Sequence, residues 1–353
     1  MSAMRSLFGG SSSSDAEDSY SSASSEEEEE SAEMLPLPSS SYPIKFIDPS
    51  TDLPSICSKP WPAAIDLINY LHPFVRGTGE KSDAENGKDE NVKHEVSECN
   101  NHHQGKQSAE GDEGGEGHPP RRIFPQAQGE SDKIARAEQR LRKILALARS
   151  REGEEEGEGG GKDEPLKVLE LGGGVGVASI GVCNLFLNEN RDNATAKSID
   201  VTCTDLAVAE DLMGCTIDLN ADLWRGVAML RTGVLEWGAG GKTTEDIKRC
   251  IGNDGVNLII ATDCVYWASL HTPFLTAVRE CLESCPADSI CVITGVRRWK
   301  RDTKFYSRLT DGKEGLEGVC VKETVKKSEG GKRDISRVYI VWLKQQNQCR
   351  NGD

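Results

Sequence analysis

From about residue 165 onward, short apolar runs alternate with segments whose apolar residues recur at helical spacing. Short runs rich in β-branched residues favour strands, whereas apolar residues three and four positions apart favour helices. Strands separated by helices are typical of βαβ crossovers, which build a parallel sheet with helices on both faces. The strand candidates are residues 167–171, 199–205, 226–231, 256–262, 289–295, 318–324 and 336–343, and the helix candidates are 175–188, 208–222, 270–284 and 302–310.

The last two strand candidates have a different connection. Only residues 325–335 join them, with Gly330 and Gly331 in the middle, which is short for a crossover and suits an antiparallel hairpin. We therefore predict an α/β fold with a Rossmann-like, seven-stranded, mostly parallel sheet. A C-terminal antiparallel hairpin completes the sheet, and helices cover both of its faces.

Two further helices are predicted before the sheet. Residues 61–71 place apolar side chains on one face, and Pro62 suits the first helical turn, while His72-Pro73 is expected to end the helix. Residues 131–149 also carry apolar residues at helical spacing, so this helix needs a surface to cover.

The acidic and polar residues are concentrated outside these elements. The chain has a net charge of −16, and residues 1–40 alone hold nine acidic residues and one basic residue. This tail and the tracts at about 77–120 and 150–164 lack the large apolar residues of a core, so we expect them to be disordered. The predicted organisation is a tail (1–40), an N-terminal helix region of the main domain (41–76), a largely disordered insertion with the helix near 131–149 (77–164), a Rossmann-like core (165–345) and a C-terminal tail (346–353).

Composition disfavours several classes of protein. No apolar run approaches the roughly 18 to 20 residues that span a bilayer, and no targeting segment is recognisable, so we expect a protein of the cytoplasm, with the nucleus as the alternative. Of the twelve cysteines, Cys203, Cys264 and Cys291 lie in apolar strand-like runs, which favours reduced core thiols. The spacing of the others favours no metal site, and the core lacks the broad basic surface of a nucleic-acid-binding protein.

Glycines follow the first core strand, in Val168-Leu-Glu-Leu-Gly-Gly-Gly-Val-Gly176. In an open α/β sheet, ligands bind where strand carboxyl ends meet helix N-termini, and glycines let a ligand approach the backbone. The spacing fits neither the Gly-x-Gly-x-x-Gly of dinucleotide sites nor the Gly-Lys-Ser/Thr of a P-loop. The pattern is typical of S-adenosylmethionine sites, in which Glu170 can orient the amino group. The alternative is a structural strand-to-helix turn.

Acidic and aromatic residues follow the next three strands. Asp205 is placed to accept hydrogen bonds from both ribose hydroxyls of an adenosine, and its alternative role is a helix N-cap. Trp237 follows the third strand, where an indole suits a flat heterocycle such as adenine. The fourth strand runs into Thr262-Asp-Cys-Val-Tyr266, an Asp-x-x-Tyr motif whose alternative role is a helix cap with a packed ring.

Together, these motifs resemble the seven-β-strand protein-lysine methyltransferases of methyltransferase family 16. The resemblance covers about residues 43–75 and 165–345. The chain has Gly172-Gly-Gly-Val-Gly176 where the family more often has Gly-Ala-Gly-Thr-Gly, and threonine at 262 where alanine is common. The matching elements follow the family's order and are the Trp61-Pro-Ala-Ala64 helix, the Glu170–Gly176 loop, Asp205, Asn220, Leu235-Glu-Trp-Gly238 and Asp263-Cys-Val-Tyr266.

The resemblance implies an enzyme that transfers a methyl group from S-adenosylmethionine to a lysine side chain of a protein substrate, and we expect a monomer. Asp263 and Tyr266 are the expected catalytic residues, bordering the methyl-acceptor channel. The alternatives are a methyltransferase for another protein side chain or a small molecule, and a non-catalytic scaffold that retains the fold. The expected cofactor contacts are Trp61, Glu170, Gly172, Gly173, Gly174, Gly176, Asp205, Trp237 and Thr262.

Overall fold

The structure is a computed structural model that describes residues 33–35, 44–46, 62–76, 128–148, 164–190, 199–226, 228–238, 243–297, 302–327 and 333–344. The strands are β1 (Glu33–Leu35), β2 (Ile44–Phe46), β3 (Leu166–Leu171), β4 (Ile199–Asp205), β5 (Ala228–Val234), β6 (Leu258–Thr262), β7 (Ile290–Arg297), β8 (Leu316–Lys327) and β9 (Arg333–Leu343). The helices are α1 (Pro62–Arg76), α2 (Gln128–Leu145), α3 (Val177–Asn190), α4 (Glu210–Leu219), α5 (Thr243–Ile251), α6 (His271–Glu283) and α7 (Asp302–Thr310).

Strands β3 to β9 form one seven-stranded sheet in the order β5-β4-β3-β6-β7-β9-β8. Strands β3 to β7 pair in parallel, whereas β9 is antiparallel to both β7 and β8. The predicted Rossmann-like α/β fold with a C-terminal hairpin is confirmed. The chain moves outward from β3 in one direction and from β6 in the other, so the carboxyl ends of these two strands flank the topological switch point where such sheets bind ligands.

Each face of the sheet has its own apolar core. Helices α1 to α4 bury their apolar side chains against one face, and α5 to α7 bury theirs against the other. Side chains alternate along each strand, so Val168 of β3 belongs to the first core and the adjacent Leu169 to the second. Because helices cover both faces of the sheet, the sequences of the parallel strands are nearly continuous apolar runs.

Helix α1 runs beyond the end that the sequence predicts at His72-Pro73. It continues to Arg76 and contains Pro73. A proline in a helix interior costs about 3 kcal/mol because it cannot donate the backbone hydrogen bond. Phe74 and Val75, however, are only 8% and 1% exposed in the core, and burying each contributes about 1.5–3 kcal/mol, which offsets the break. The predicted end was wrong because the prediction rested on the local effect of proline and not on the burial of the residues that follow it.

Helix α2 covers the sheet near its antiparallel edge. Its apolar face includes the fully buried Leu141, and a short 3-10 turn over residues 146–148 follows the helix. Arg140 donates to the carbonyl of Ala287 at 3.1 Å, and Lys143 pairs with Asp288 at 2.9 Å. The surface that the sequence requires for this amphipathic helix is therefore the sheet itself.

Three elements were not predicted from the sequence. The short strands β1 and β2 pair antiparallel with each other, and β1 lies within the tail expected to be disordered. Helix α5 is also missed, because its buried residues are few in a polar segment.

Strand β5 ends at Val234 rather than at residue 231, because parallel pairing with β4 continues to Asp205. Residues 77–120 and 150–163 lie outside the described part of the chain.

Cys203, Cys264 and Cys291 are buried thiols, as their apolar positions predict. Within the ranges that the structure describes, no group of three histidine, cysteine or acidic side chains is arranged to hold a metal ion. None of the described helices is both long enough and apolar enough to cross a bilayer.

Candidate active site

The polar residues predicted at the strand ends lie together at one edge of the sheet. The backbone N–H of Gly173 donates to the carbonyl of Thr204 at 2.9 Å, and that of Leu235 donates to the carbonyl of Asp205 at 3.0 Å. These two bonds join the end of β4 to the segments that follow β3 and β5. The side chains that the sequence places after separate strands are thus brought into one site.

The glycine loop after β3 has a backbone that other residues would adopt only with strain. Gly172, Gly174 and Gly176 have φ values of 68°, 57° and 78°, in the left-handed region that favours glycine. A Cβ on Gly173 would overlap the sulfur of Cys203, so the side chains beneath the loop also require glycine. Helix α3 begins at Val177, directly after this loop, so its first backbone N–H groups have no partner within the helix.

Glu170 lies fully buried beneath the glycine loop. Its Oε2 accepts hydrogen bonds from the backbone N–H and hydroxyl of Ser179 and from the thiol of Cys203. Among the described residues, Oε1 has no hydrogen-bond donor. Burial raises the pKa of this carboxyl to about 7, against the opposing effect of the Ser179 and Cys203 hydrogen bonds. Glu170 therefore supports the loop from below, and its contact with a cofactor stays a prediction.

Asp205 connects the end of β4 to the glycine loop. Its Oδ2 accepts a hydrogen bond from the N–H of Gly174 and its Oδ1 one from the N–H of Leu206, both at 2.7 Å. Burial raises the pKa of this carboxyl, and the two backbone hydrogen bonds lower it. The N-cap alternative is wrong, because α4 begins after Ala209 without a side-chain cap. Each carboxylate oxygen keeps a second lone pair that can accept a hydroxyl.

Trp237 stands beside the glycine loop on the side of β5. A Cβ on Gly172 would lie 3.0 Å from Cη2 of the indole, and the ring packs edge-on against Phe274 with centroids 5.1 Å apart. The indole N–H is buried and has no acceptor among the described residues. A flat apolar surface with an unused donor therefore borders the loop.

Asp263 follows β6 in an unusual backbone conformation. Its φ of 55° makes it the only non-glycine residue of the described ranges with a positive φ. Its N–H donates to the carbonyl of Thr294 at 2.8 Å, and its Oδ1 accepts from the N–H of Val296 at 3.3 Å, so β7 holds both its backbone and its carboxylate. The alternative of a helix cap is wrong, because the next helical turn starts after Trp267. Strained residues of this kind cluster at functional sites.

Cys264 joins the two ends of the site, which sequence reasoning missed. Its thiol lies 3.0 Å from the carbonyl of Leu171 at the end of β3 and 3.3 Å from that of Thr262 at the end of β6. Thr262 itself is buried, while Tyr266 is half-buried and packs edge-on against Trp267. No sequence signal distinguishes this cysteine from an ordinary core thiol. Trp61 lies outside the described residues.

Asn220, which the sequence matched to the family without a role, is a structural link. Its amide nitrogen donates to the carbonyl of Lys45 at 2.6 Å and to that of Thr216 at 2.7 Å. Its amide oxygen accepts from the N–H of Lys45 at 2.8 Å. The side chain thus fixes β2 to the end of α4.

S-adenosylmethionine combines a ribose, a flat adenine and a charged methionine portion. Asp205 offers carboxylate lone pairs for ribose hydroxyls, and Trp237 offers a flat face and an unused N–H. The left-handed glycines offer a backbone that a ligand can approach closely. The residues present therefore fit this cofactor.

Comparison with known proteins gave one family match. Residues 143–312 match the family model of lysine methyltransferases. A search of curated proteins found no match.

Similarity to solved structures is partial. A SAM-dependent methyltransferase from Methanosarcina mazei is 10% identical with a TM-score of 0.35, over 52% of this chain and 94% of that one. The precorrin-6y C5,15-methyltransferase of Geobacter metallireducens is 13% identical with a TM-score of 0.32, over 63% and 95%. The protein LepI in complex with SAH is 12% identical with a TM-score of 0.33, over 61% and 54%. At these TM-scores the likenesses support no conclusion about function.

The matched stretch spans β3 to β7 and every described residue of the predicted site. The predicted enzyme class and its cofactor, S-adenosylmethionine, agree with this family, and the family implies a protein substrate. Residues 143–312, a little under half of the chain, thus match the lysine methyltransferase family.

Proposed function

We propose that this protein transfers a methyl group from S-adenosylmethionine to a lysine side chain of a protein substrate, at the carboxyl edge of β3 to β6. The observation that carries this proposal is the pairing of two features across the switch point. The glycine loop and Asp205 lie on one side, and the conformationally strained Asp263 lies on the other, with Cys264 joining them. A cofactor loop and an acceptor-side carboxylate are thus fixed relative to each other.

The adenosine is assigned to the β4–β5 side of the site. Asp205 would accept hydrogen bonds from the ribose hydroxyls, and Trp237 would pack beside the adenine. The backbone of Gly172 to Gly176 would follow the methionine portion, and Thr262 would border it. When bound, the cofactor supplies a methyl group activated by its sulfonium. The assignment is supported by the carboxylate lone pairs, the unused indole N–H and the positive φ values described above.

The residues at the end of β6 have the task of aligning the acceptor. Methyl transfer needs in-line approach of a neutral amine, and the ordinary lysine pKa makes deprotonation near pH 7 cost about 4–5 kcal/mol. The carboxylate of Asp263 would orient the incoming ammonium, and Tyr266 would line the channel. Asp263 is suited to this role because two hydrogen bonds to β7 already fix it. A preorganised carboxylate loses little freedom when the substrate arrives.

The N-terminal helix region is proposed to be part of the same domain. A Cβ on Gly181 of α3 would overlap Ile68 of α1, so the two helices pack in direct contact. Asn220 anchors β2 in the same way. These contacts support a unit that includes residues 41–76 together with 165–345.

Labelled S-adenosylmethionine incubated with the full-length protein and a cell lysate tests the function. Label is expected on lysine side chains of protein. Asp263→Asn should abolish transfer and leave binding of S-adenosylhomocysteine unchanged in calorimetry. Asp205→Ala should weaken that binding about ten- to a hundredfold, because hydrogen bonds to a charged group contribute about 1.5–3 kcal/mol. Asp222→Asn, at an exposed position, is the matched control and should change neither measurement.

The alternatives predict other outcomes. Label found only in low-mass material indicates a small-molecule methyltransferase, and label on other side chains indicates a different protein acceptor. Absence of detectable S-adenosylhomocysteine binding by the wild type indicates a non-catalytic scaffold. Full transfer activity in Asp263→Asn refutes the role given to that residue.

A further inference from the structure

The position of Asp263 depends on the last residues of β7. Its N–H is bonded to Thr294 and its carboxylate to Val296, which are the two neighbours of Gly295 in the chain. A displacement of the backbone at Gly295 therefore moves both anchors of Asp263 together. What holds Gly295 also sets where the carboxylate points.

Tyr306 of α7 lies directly against Gly295. A Cβ on Gly295 would overlap the phenol oxygen of Tyr306, whereas the next ring atom, Cζ, would be 3.5 Å away. The ring cannot easily turn aside, because it is buried and stacked on Tyr339 with centroids 4.9 Å apart and planes 7° from parallel. Phe305 also packs edge-on against it, at 5.2 Å. Only glycine fits at position 295 while this tyrosine is in place.

The neighbouring strand holds the same end of β7 from the other side. Gly295 pairs with Arg337 of β9, and Arg337 forms a 2.6 Å ion pair with Glu323 of β8. Both side chains are nearly inaccessible, at 8% and 6% exposure. Separating such a pair leaves an uncompensated buried charge, so β9 resists displacement. A side chain added at position 295 must then push the end of β7 itself, and with it Val296.

We propose that Gly295, with the ring of Tyr306 packed against it, is a positioning residue for methyl transfer, which acts by fixing the end of β7 and thereby the carboxylate of Asp263. This inference rests on the proposed function. Neither residue is among the expected cofactor contacts, so their effect falls on alignment of the acceptor and not on cofactor affinity. A shift of the β7 end reaches Asp263 through the N–H of Val296, which donates a hydrogen bond to the Asp263 carboxylate.

Four variants of the full-length chain test the inference: Gly295→Ala, Tyr306→Phe, the double variant, and Gly214→Ala as control. Gly214 lies in α4 with nothing within 4 Å of an added Cβ. Three quantities are measured: the rate of label transfer from saturating S-adenosylmethionine into lysate protein, the Kd for S-adenosylhomocysteine, and the thermal unfolding midpoint.

Gly295→Ala should lower the transfer rate about ten- to a hundredfold, the loss expected when a reacting group is misplaced by about 1 Å, and leave the Kd unchanged. The double variant should recover most of the rate and of the unfolding midpoint, because the new methyl then meets only Cζ, at 3.5 Å, an ordinary contact. Tyr306→Phe alone should keep most of the rate. The control should match the wild type in rate and Kd, with an unfolding midpoint slightly above it, because alanine is favoured over glycine inside a helix.

Two results overturn the inference. The first is an unchanged transfer rate in Gly295→Ala. The second is a double variant that regains its unfolding midpoint and not its rate, since the packing would then be restored without restoring catalysis. Failure of the proposed function is recognised separately, because the wild type itself would then transfer no label to protein.

Discussion

The carboxyl of Glu170 should give the folded protein a pH-dependent stability that one substitution removes. The side chain is fully buried under the glycine loop, and burial raises its pKa from 4.5 to about 7. Glu170→Gln keeps the shape and an acceptor oxygen for Ser179, and it cannot titrate. A rise in pKa from 4.5 to about 7 corresponds to about 3 kcal/mol of free energy.

The direction follows from proton uptake on folding. The folded protein keeps this proton up to about pH 7, whereas the unfolded chain releases it near pH 4.5. Stability from the protonated form is therefore complete below pH 4.5 and is lost as the pH rises through about 7. Relative to Glu170→Gln, the free energy of unfolding of the wild type should fall by about 3 kcal/mol over this interval and stay constant above it.

Urea unfolding followed by tryptophan fluorescence, from about pH 5 to about pH 8, measures most of this change. The amide of the variant adds an offset that does not depend on pH, since its NH₂ replaces Oε1, which has no described partner. Glu245→Gln, exposed on α5, is the control and should track the wild type at every pH. A difference between wild type and Glu170→Gln that stays constant with pH would refute a raised pKa.

Three further substitutions test single contacts. Gly173→Ala should lower both the unfolding midpoint and the affinity for S-adenosylhomocysteine, because the new methyl overlaps the sulfur of Cys203. Adding Cys203→Ala should restore both quantities, as measured by thermal unfolding and calorimetry. Asn220→Ala leaves the backbone groups of Lys45 without their partner and should cost about 1–3 kcal/mol in urea unfolding, which an unchanged midpoint would contradict. Trp237→Phe removes the indole N–H together with ring atoms that lie beside Gly172, so calorimetry should show weaker S-adenosylhomocysteine binding and thermal unfolding a somewhat lower midpoint.

The elements that the sequence predicts well are those defined by local apolar patterns. Strand β4 and helix α7 have the predicted limits, 199–205 and 302–310, because their apolar spacing is clear and polar residues bound them. Helix α5 and the end of β5 escape prediction for the opposite reason. Thr232, Gly233 and Val234 lie beyond the predicted strand, and pairing with β4 makes them part of it.

The candidate site shows a similar division between position and contact. Sequence reasoning places Asp205, Trp237 and Asp263 at strand ends, and parallel topology then brings them to one edge of the sheet. It does not reveal that Asp205 bonds to Gly174 or that Cys264 reaches Leu171, because these partners lie 31 and 93 residues away. Residue type and spacing determine what a side chain can do, and long-range packing determines which groups it forms hydrogen bonds with.

Asp263 shows why this division matters for function. An aspartate after a strand is locally compatible with a helix cap, and nothing in its neighbours excludes that role. A positive φ at a non-glycine residue costs about 1–3 kcal/mol unless the surroundings hold it. Here hydrogen bonds to Thr294 and Val296 hold the conformation of Asp263. Gly295 lies between these two residues, and Tyr306 packs where a side chain at 295 would lie. The conformation of the Asp263 carboxylate is therefore a property of β7 and α7. If Asp263 has the proposed role, substitutions there should change methyl transfer although neither element carries a predicted site residue.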